Sequence, residues 1–176
     1  MMREFSAKAK SSNNNARVAF FVLLGLATAT FAAYFISPLY KGVIGLFGIA
    51  FITVSVLIYT KYVSCEYYYD ITSDFDGVPV FVVRQITGKR QTTLCRISLS
   101  DIVGAKMETR EESRAHKTPQ GYRKYVYLPT LMPSYTCRLT VSGRYEKAEI
   151  IIEVGEEFRS YLLSCAAESR KTLDEE

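Results

Sequence analysis

Two stretches without a single charged residue constrain this sequence more than anything else in it. Residues 18–36, VAFFVLLGLATATFAAYFI, and residues 42–60, GVIGLFGIAFITVSVLIYT, each run 19 positions without Asp, Glu, Lys, Arg or His. At 1.5 Å per residue, each would span about 28 Å as a helix, close to the ~30 Å hydrocarbon core of a bilayer. Neither carries the polar face that a helix packed in a soluble core would show. The pair is predicted to form a transmembrane hairpin over 17–61, punctuated at Pro38. The whole-chain mean hydropathy of +0.03 conceals this segregation. A basic stretch precedes the first run, and Ala27-Thr28-Ala29 offers a small-x-small pattern like a signal cleavage site. The run is longer than a signal peptide needs, however, and a second span follows at once.

The flanking charges set an orientation. Arg3, Lys8, Lys10 and Arg17 precede the first span against Glu4 alone, and the connector 37–41 holds one lysine. The positive-inside rule then predicts both termini in the cytoplasm, with residues 1–16 a disordered basic tail. Tyr34 and Tyr40 would mark the outer interface, Tyr59 and Tyr62 the inner one. Gly25, Ala29 and Ala33 recur every four residues on the first helix, and Gly45 and Gly48 lie near the start of the second. Small residues at this spacing let backbones approach closely in lipid. The reading preferred here packs one helix against the other within the chain; the alternative is association between copies. With no ionisable group inside either span, a pump or transporter is disfavoured.

Residues 61–176 hold 17 basic and 17 acidic residues, so a nucleic-acid binder is not indicated. The pattern there is alternation. In SCEYYYDIT, Cys65, Tyr67, Tyr69 and Ile71 share one face, and Glu66, Tyr68, Asp70 and Thr72 the other, which predicts a half-buried strand. DFDG reads as a turn and VPVFVVRQI (78–86) as the returning strand. TGKR is a second turn. Further strands are predicted over 91–99, over 102–108 with Val103, Ala105 and Met107 inward, and over 122–128. YTCRLTV (135–141) places Tyr135, Cys137, Leu139 and Val141 in and Thr136, Arg138 and Thr140 out. AEIIIEV (148–154) is the seventh strand. The stretch 109–121 reads as a flexible loop. The period then changes: Phe158, Tyr161, Leu162 and Cys165 fall at i, i+3, i+4, i+7, a helix face, with Gly155 as its N-cap. Cys65, Cys95, Cys137 and Cys165 all fall on inward faces, without the C-x-x-C spacing of a zinc or redox site, and read as buried thiols.

Seven strands followed by one amphipathic helix resemble the pleckstrin-homology-like (PH-like) barrel. RISLSDIVGAK (96–106) looks like the strand-3 to strand-4 passage of bacterial PH-like domains, and IIIEVGEEFRSYLLS (150–164) like their closing strand and helix. Small bacterial membrane proteins of this kind place such a domain directly after two membrane helices. The resemblance implies an α+β membrane protein: a two-helix transmembrane hairpin, a cytosolic seven-stranded antiparallel PH-like barrel over 62–168 with a capping helix, and a polar tail over 169–176. It implies architecture and little biochemistry.

Candidate sites are few. Phosphoinositide-binding PH domains use a basic turn between strands one and two; here that turn holds Asp74 and Asp76, which repel phosphate. With Gly77 at position 6 of a calcium loop, position 1 is Thr72 and position 12 is Val83, so that frame fails as well. His116, the single histidine, has no partner assignable from sequence, and TGKR lacks a Walker frame. No catalytic, cofactor or metal residues are therefore assigned. Lys61, Lys89 and Arg90 are expected at the membrane-proximal end, either facing anionic lipid or serving as ordinary solubilising charges. Leu131 and Met132, between two prolines, are either a partner contact or a flap folded over the end of the barrel. The expected function is membrane-anchored, non-catalytic binding or scaffolding with a protein partner; the alternative is a structural subunit of a larger membrane complex or homo-oligomer.

Overall fold

The computed structural model describes residues 5–9, 14–36, 40–74, 76–143 and 146–174. They form two compact units, Ser12–Cys65 and Met1–Ser11 with Glu66–Glu176. The first is a pair of helices, α1 (Asn14–Ile36) and α2 (Lys41–Ile58), the latter continuing through one π-helical turn at Tyr59–Val63. Both are long and apolar enough to cross a membrane. Pro38 lies outside the described residues; Tyr40, just before α2, takes the left-handed conformation with φ 59°.

Ala16 and Ala27 of α1 and Gly48 and Ser55 of α2 are buried. A Cβ on Gly48 would lie 3.1 Å from the Phe31 ring and 3.3 Å from Thr30 Oγ1, so glycine sets the approach there. Gly45 lies opposite Tyr34, and Ser55 Oγ donates to the Phe20 carbonyl at 3.4 Å. The hydroxyls of Thr28, Thr30 and Thr53 donate to carbonyls one turn back, which satisfies them without water. The Gly25/Ala29/Ala33 stripe is on the exposed face of α1, so packing within the pair runs through Ala27, Thr30, Phe31 and Tyr34 instead.

The second unit is α+β. One sheet has the order β1-β2-β3-β4: β1 (Phe5–Lys8), β2 (Cys65–Ser73), β3 (Pro79–Thr87) and β4 (Arg90–Ser98). A single 3₁₀ turn at Leu99–Asp101 leads to the other sheet, of order β5-β7-β8-β6: β5 (Ile102–Thr109), β6 (Arg123–Tyr127), β7 (Tyr135–Ser142) and β8 (Lys147–Ile152). The helix α3 (Arg110–Ala115) lies between β5 and β6, and α4 (Glu156–Asp174) closes the chain.

Two four-stranded sheets, not closed into a barrel, thus stand where seven antiparallel strands were expected. Two elements make the difference. Part of the expected tail, Phe5–Lys8, pairs antiparallel with β2 in the register Phe5↔Ile71 to Lys8↔Tyr68. The expected loop 109–121 is a crossover: it carries the chain from β5, at one edge of its sheet, to β6 at the other, where β6 pairs parallel with β8. A parallel pair needs a connection of about a dozen residues, which this stretch supplies. Thr109 and Glu112 form a capping box that starts α3 inside it. At the other end of the chain, α4 runs on to Asp174 through the expected polar tail.

The inward faces read from alternation hold for β2, for Cys137, Leu139 and Val141 of β7 and for α4, whereas Tyr135, expected inward at the start of β7, is 62% exposed. Tyr69, Phe81, Leu99, Ile102, Leu139, Ile150, Ile152 and Leu162 are fully buried. On β5 the register shifts between Ile102 and Gly104, so Ile102 is buried while Val103, expected inward, is 55% exposed. Gly88, with φ 61°, opens the two-residue turn between β3 and β4, the conformation that a tight hairpin of this hand requires.

Truncating Leu139 to Ala should cost about 2–5 kcal/mol, because the cavity cannot collapse between two sheets. Val103→Ala should stay within about 0.5 kcal/mol. Urea unfolding in mild detergent checks both; equal costs would show that the bulge is misplaced.

Candidate functional site

Two polar clusters distinguish the β-domain. The first lies on the outer face of the β1–β4 sheet. Asp70, on β2, is 5% exposed. It accepts from Ser6 Oγ on β1 and from Arg84 Nε on β3. Next to it, Arg96 Nη2 of β4 meets Asp74 Oδ1 at 2.5 Å. These side chains, with Phe5, Ile71, Thr72, Ser73 and Val82, line a hollow of about 670 Å³. The Asp70 hydrogen bond raises the Arg84 pKa above its ordinary value. The expected hairpin turn at Asp74 is therefore part of a neutralised Arg–Asp surface rather than a free acidic tip. Such a surface can seat a polar or extended ligand through paired donors and acceptors.

The second cluster is buried beneath the crossover. Arg138 Nε donates to both Glu108 oxygens at 3.0 Å, its Nη2 to Glu108 Oε2 at 2.7 Å, and its Nη1 to Glu149 Oε2 at 3.0 Å. Glu149 Oε1 also lies 2.9 Å from His116 Nε2. Arg138, Glu108 and Glu149 are each 3% exposed or less. Alternation had placed Arg138 and Thr136 facing solvent; the crossover covers that face and buries both. Burial opposes ionisation of Glu149, but hydrogen bonds from Thr118 and His116 and the Arg138 charge outweigh it and hold its pKa below the ordinary 4.5. His116 thus has a partner that no spacing in the sequence revealed, and the cluster is structural: it pins the crossover to its sheet.

Lys61, Lys89 and Arg90 are all exposed, the last two at the turn between β3 and β4. The loop 128–134 is split. Pro129 and Thr130 are buried, with Thr130 Oγ1 donating to Glu153 at 3.0 Å, whereas Leu131 is half-buried and Met132 50% exposed. Cys65, Cys137 and Cys165 are buried and Cys95 half-buried, and none of the four is in a disulfide. Burial pushes the Cys137 pKa up to about 12 and that of Cys95 up to about 11. Among the described residues no group of His, Cys, Asp and Glu is placed to hold a metal ion.

Replacing Arg138 by Met strands two buried carboxylates and should cost about 3–5 kcal/mol. Arg123→Met, whose partner Glu146 is half exposed, should leave the thermal midpoint unchanged. Because the folded pKa of Glu149 is depressed, its contribution is present above the unfolded value and lost as pH falls below 4.5. Glu149→Gln should flatten that acid limb of the stability profile; an unchanged limb would mean that the carboxylate is not engaged.

No known protein-family model and no curated protein matches this chain.

Proposed function

We propose that this is a membrane-anchored, non-catalytic binding or scaffolding protein that presents a PH-like domain at the cytoplasmic face of a bacterial plasma membrane. The observation that carries the reading is the β1–β2 ladder. β1 precedes the two apolar helices and β2 follows them, yet they are neighbours in one sheet. Both flanks of the helix pair must then lie on one side of a membrane. β1 also ends where β2 begins: Ala9 N–H donates to the Tyr67 carbonyl at 3.1 Å, so the chain leaves and rejoins the sheet at a single end. The Lys89/Arg90 turn returns to that same end. Near an anionic leaflet each such cation contributes about 1 kcal/mol of attraction, within a Debye length of about 8–10 Å.

The basic tail supports the cytoplasmic assignment. The PH-like reading draws support from three consecutive strands β2–β4, the short passage at Leu99–Asp101 into a second sheet, and the closing helix α4. The added β1 and the crossover are departures from that pattern. A second reading, a subunit assembled through its helices, draws on the exposed Gly25/Ala29/Ala33 stripe, which would let another helix approach closely.

Purification in mild detergent after membrane crosslinking separates the two. A stoichiometric protein partner that survives Gly25→Leu supports the anchored binder. A homo-oligomer lost in Gly25→Leu supports the subunit. For topology, a membrane-impermeant maleimide should label Tyr40→Cys in intact cells and Lys89→Cys only after permeabilisation. The opposite pattern would invert the orientation, and equal access to both would refute a hairpin.

A further inference from the structure

β1 is an unusual strand. It has four residues and pairs with Tyr68–Ile71 of the nine-residue β2. Its side chains nevertheless make a specific set of contacts. Phe5 packs against Phe158 and Tyr161 of α4, with tilted rings whose centroids are 5.6 and 5.2 Å away. Ser6 donates to the buried Asp70. Lys8 Nζ lies 2.9 Å from Glu66 Oε2, with both side chains about half exposed. Phe5 itself is 42% exposed.

Hollows lie at both ends of this strand. The larger, of about 670 Å³, adjoins Phe5 and Ser6 and runs on past Thr72 and Ser73. The smaller, of about 290 Å³, lies against Ala7 and Lys8 and is walled by Ser134, Tyr135, Glu153, Val154 and Gly155. Ala7, a methyl group, therefore faces a space that a larger apolar side chain would fill.

We infer that the outer edge of β2, with α4 beside it, is a docking track for an extended peptide of a partner protein, and that β1 is the chain's own displaceable occupant of it. The chemistry of the track defines the partner segment. An aromatic residue meets Phe158 and Tyr161, and a hydroxyl residue next to it meets Asp70. A bulky apolar residue follows over the smaller hollow, and then a cation meets Glu66. Backbone pairing along the edge supplies affinity, and the alternating side chains supply the pattern. β1 matches three of these positions and falls short at Ala7, which suits a tethered occupant that a better-fitting segment can replace. The tether gives β1 a high effective concentration, so a free peptide binds well only once β1 is weakened or outmatched.

This takes the binding reading above as given, but the experiment measures the edge itself and can fail while the anchor reading stands. The full-length protein in nanodiscs is titrated with fluorescein-labelled peptide REFSAKAK, the sequence of residues 3–10. The Ser6→Asp protein, whose own strand would set a second carboxylate against Asp70, should bind this peptide at least tenfold more tightly than wild type. A peptide carrying Ala7→Leu should bind more tightly again, about fivefold, and one carrying Ser6→Asp should bind neither protein. Near-ultraviolet circular dichroism confirms that the variant is folded; if it is not, Lys8→Glu releases the strand through Glu66 instead. Equal binding of REFSAKAK to wild type and released variant overturns the proposal. So does equal binding of a scrambled peptide, or tolerance of Ser6→Asp in the peptide.

Discussion

A guanidinium taken out of water has to find carboxylates, and in this domain Arg138 finds two. Glu108 on β5 and Glu149 on β8 reach it from either side of β7, so three of the four strands of the second sheet are held in one register. A slip of a single residue would turn Arg138 into the apolar interior and Leu139 out of it. The same constraint fixes what covers the sheet. The chain passes from β5 to β6 over this face, α3 is started by its capping box, and His116 closes on Glu149. Breaking such an ion cluster is expensive because the remaining charges stay buried, so the crossover and the register stand or fall together.

The apolar periodicities were the legible part of this fold. Cys65, Tyr67, Tyr69 and Ile71 alternate because one face of β2 meets the core and the other does not, and the same logic exposed β7 and the face of α4. It failed where burial is not apolar. Arg138 and Thr136 alternate with Cys137 and Leu139 as solvent-facing residues would, and only a tertiary event, the crossover, buries them. The signal for that event was the length of the polar stretch 109–121, which is more than a hairpin needs. The bulge at Ile102–Gly104 was hidden because a register shift leaves no mark in composition. β1 was hidden because four residues, FSAK, are too few to show a period, and most of their hold comes from partners more than sixty residues away.

The candidate surfaces divided in the same way. The exposed Lys89/Arg90 turn followed from TGKR, since a glycine with positive φ between two strands makes a tight turn and turns point outward. The Arg84–Asp70 and Arg96–Asp74 pairs did not, because each joins different strands and depends on how β2, β3 and β4 are aligned. Asp74 looked like part of an acidic tip; its charge is matched across the sheet. The helix pair holds a similar lesson. The small-residue stripe was visible, but the face that α1 turns to α2 is chosen by bulk as much as by its absence, with Phe31 filling the notch at Gly48.

The ladder between β1 and β2 also imposes an order on biogenesis. Phe5–Lys8 leaves the ribosome before either apolar helix, but its partner Tyr68–Ile71 emerges only after both have been made. Closing so long a loop carries an entropic cost that grows only slowly with its length, so the delay is topological more than energetic. If the helix pair spans a bilayer, as proposed above, a nascent chain that inserted one helix and left the other behind would strand the two segments on opposite sides of it. Its first sheet would stop at three strands. In a membrane-anchored chain, as proposed above, this shortest of the described strands would record, in a few backbone hydrogen bonds, that an even number of crossings was completed.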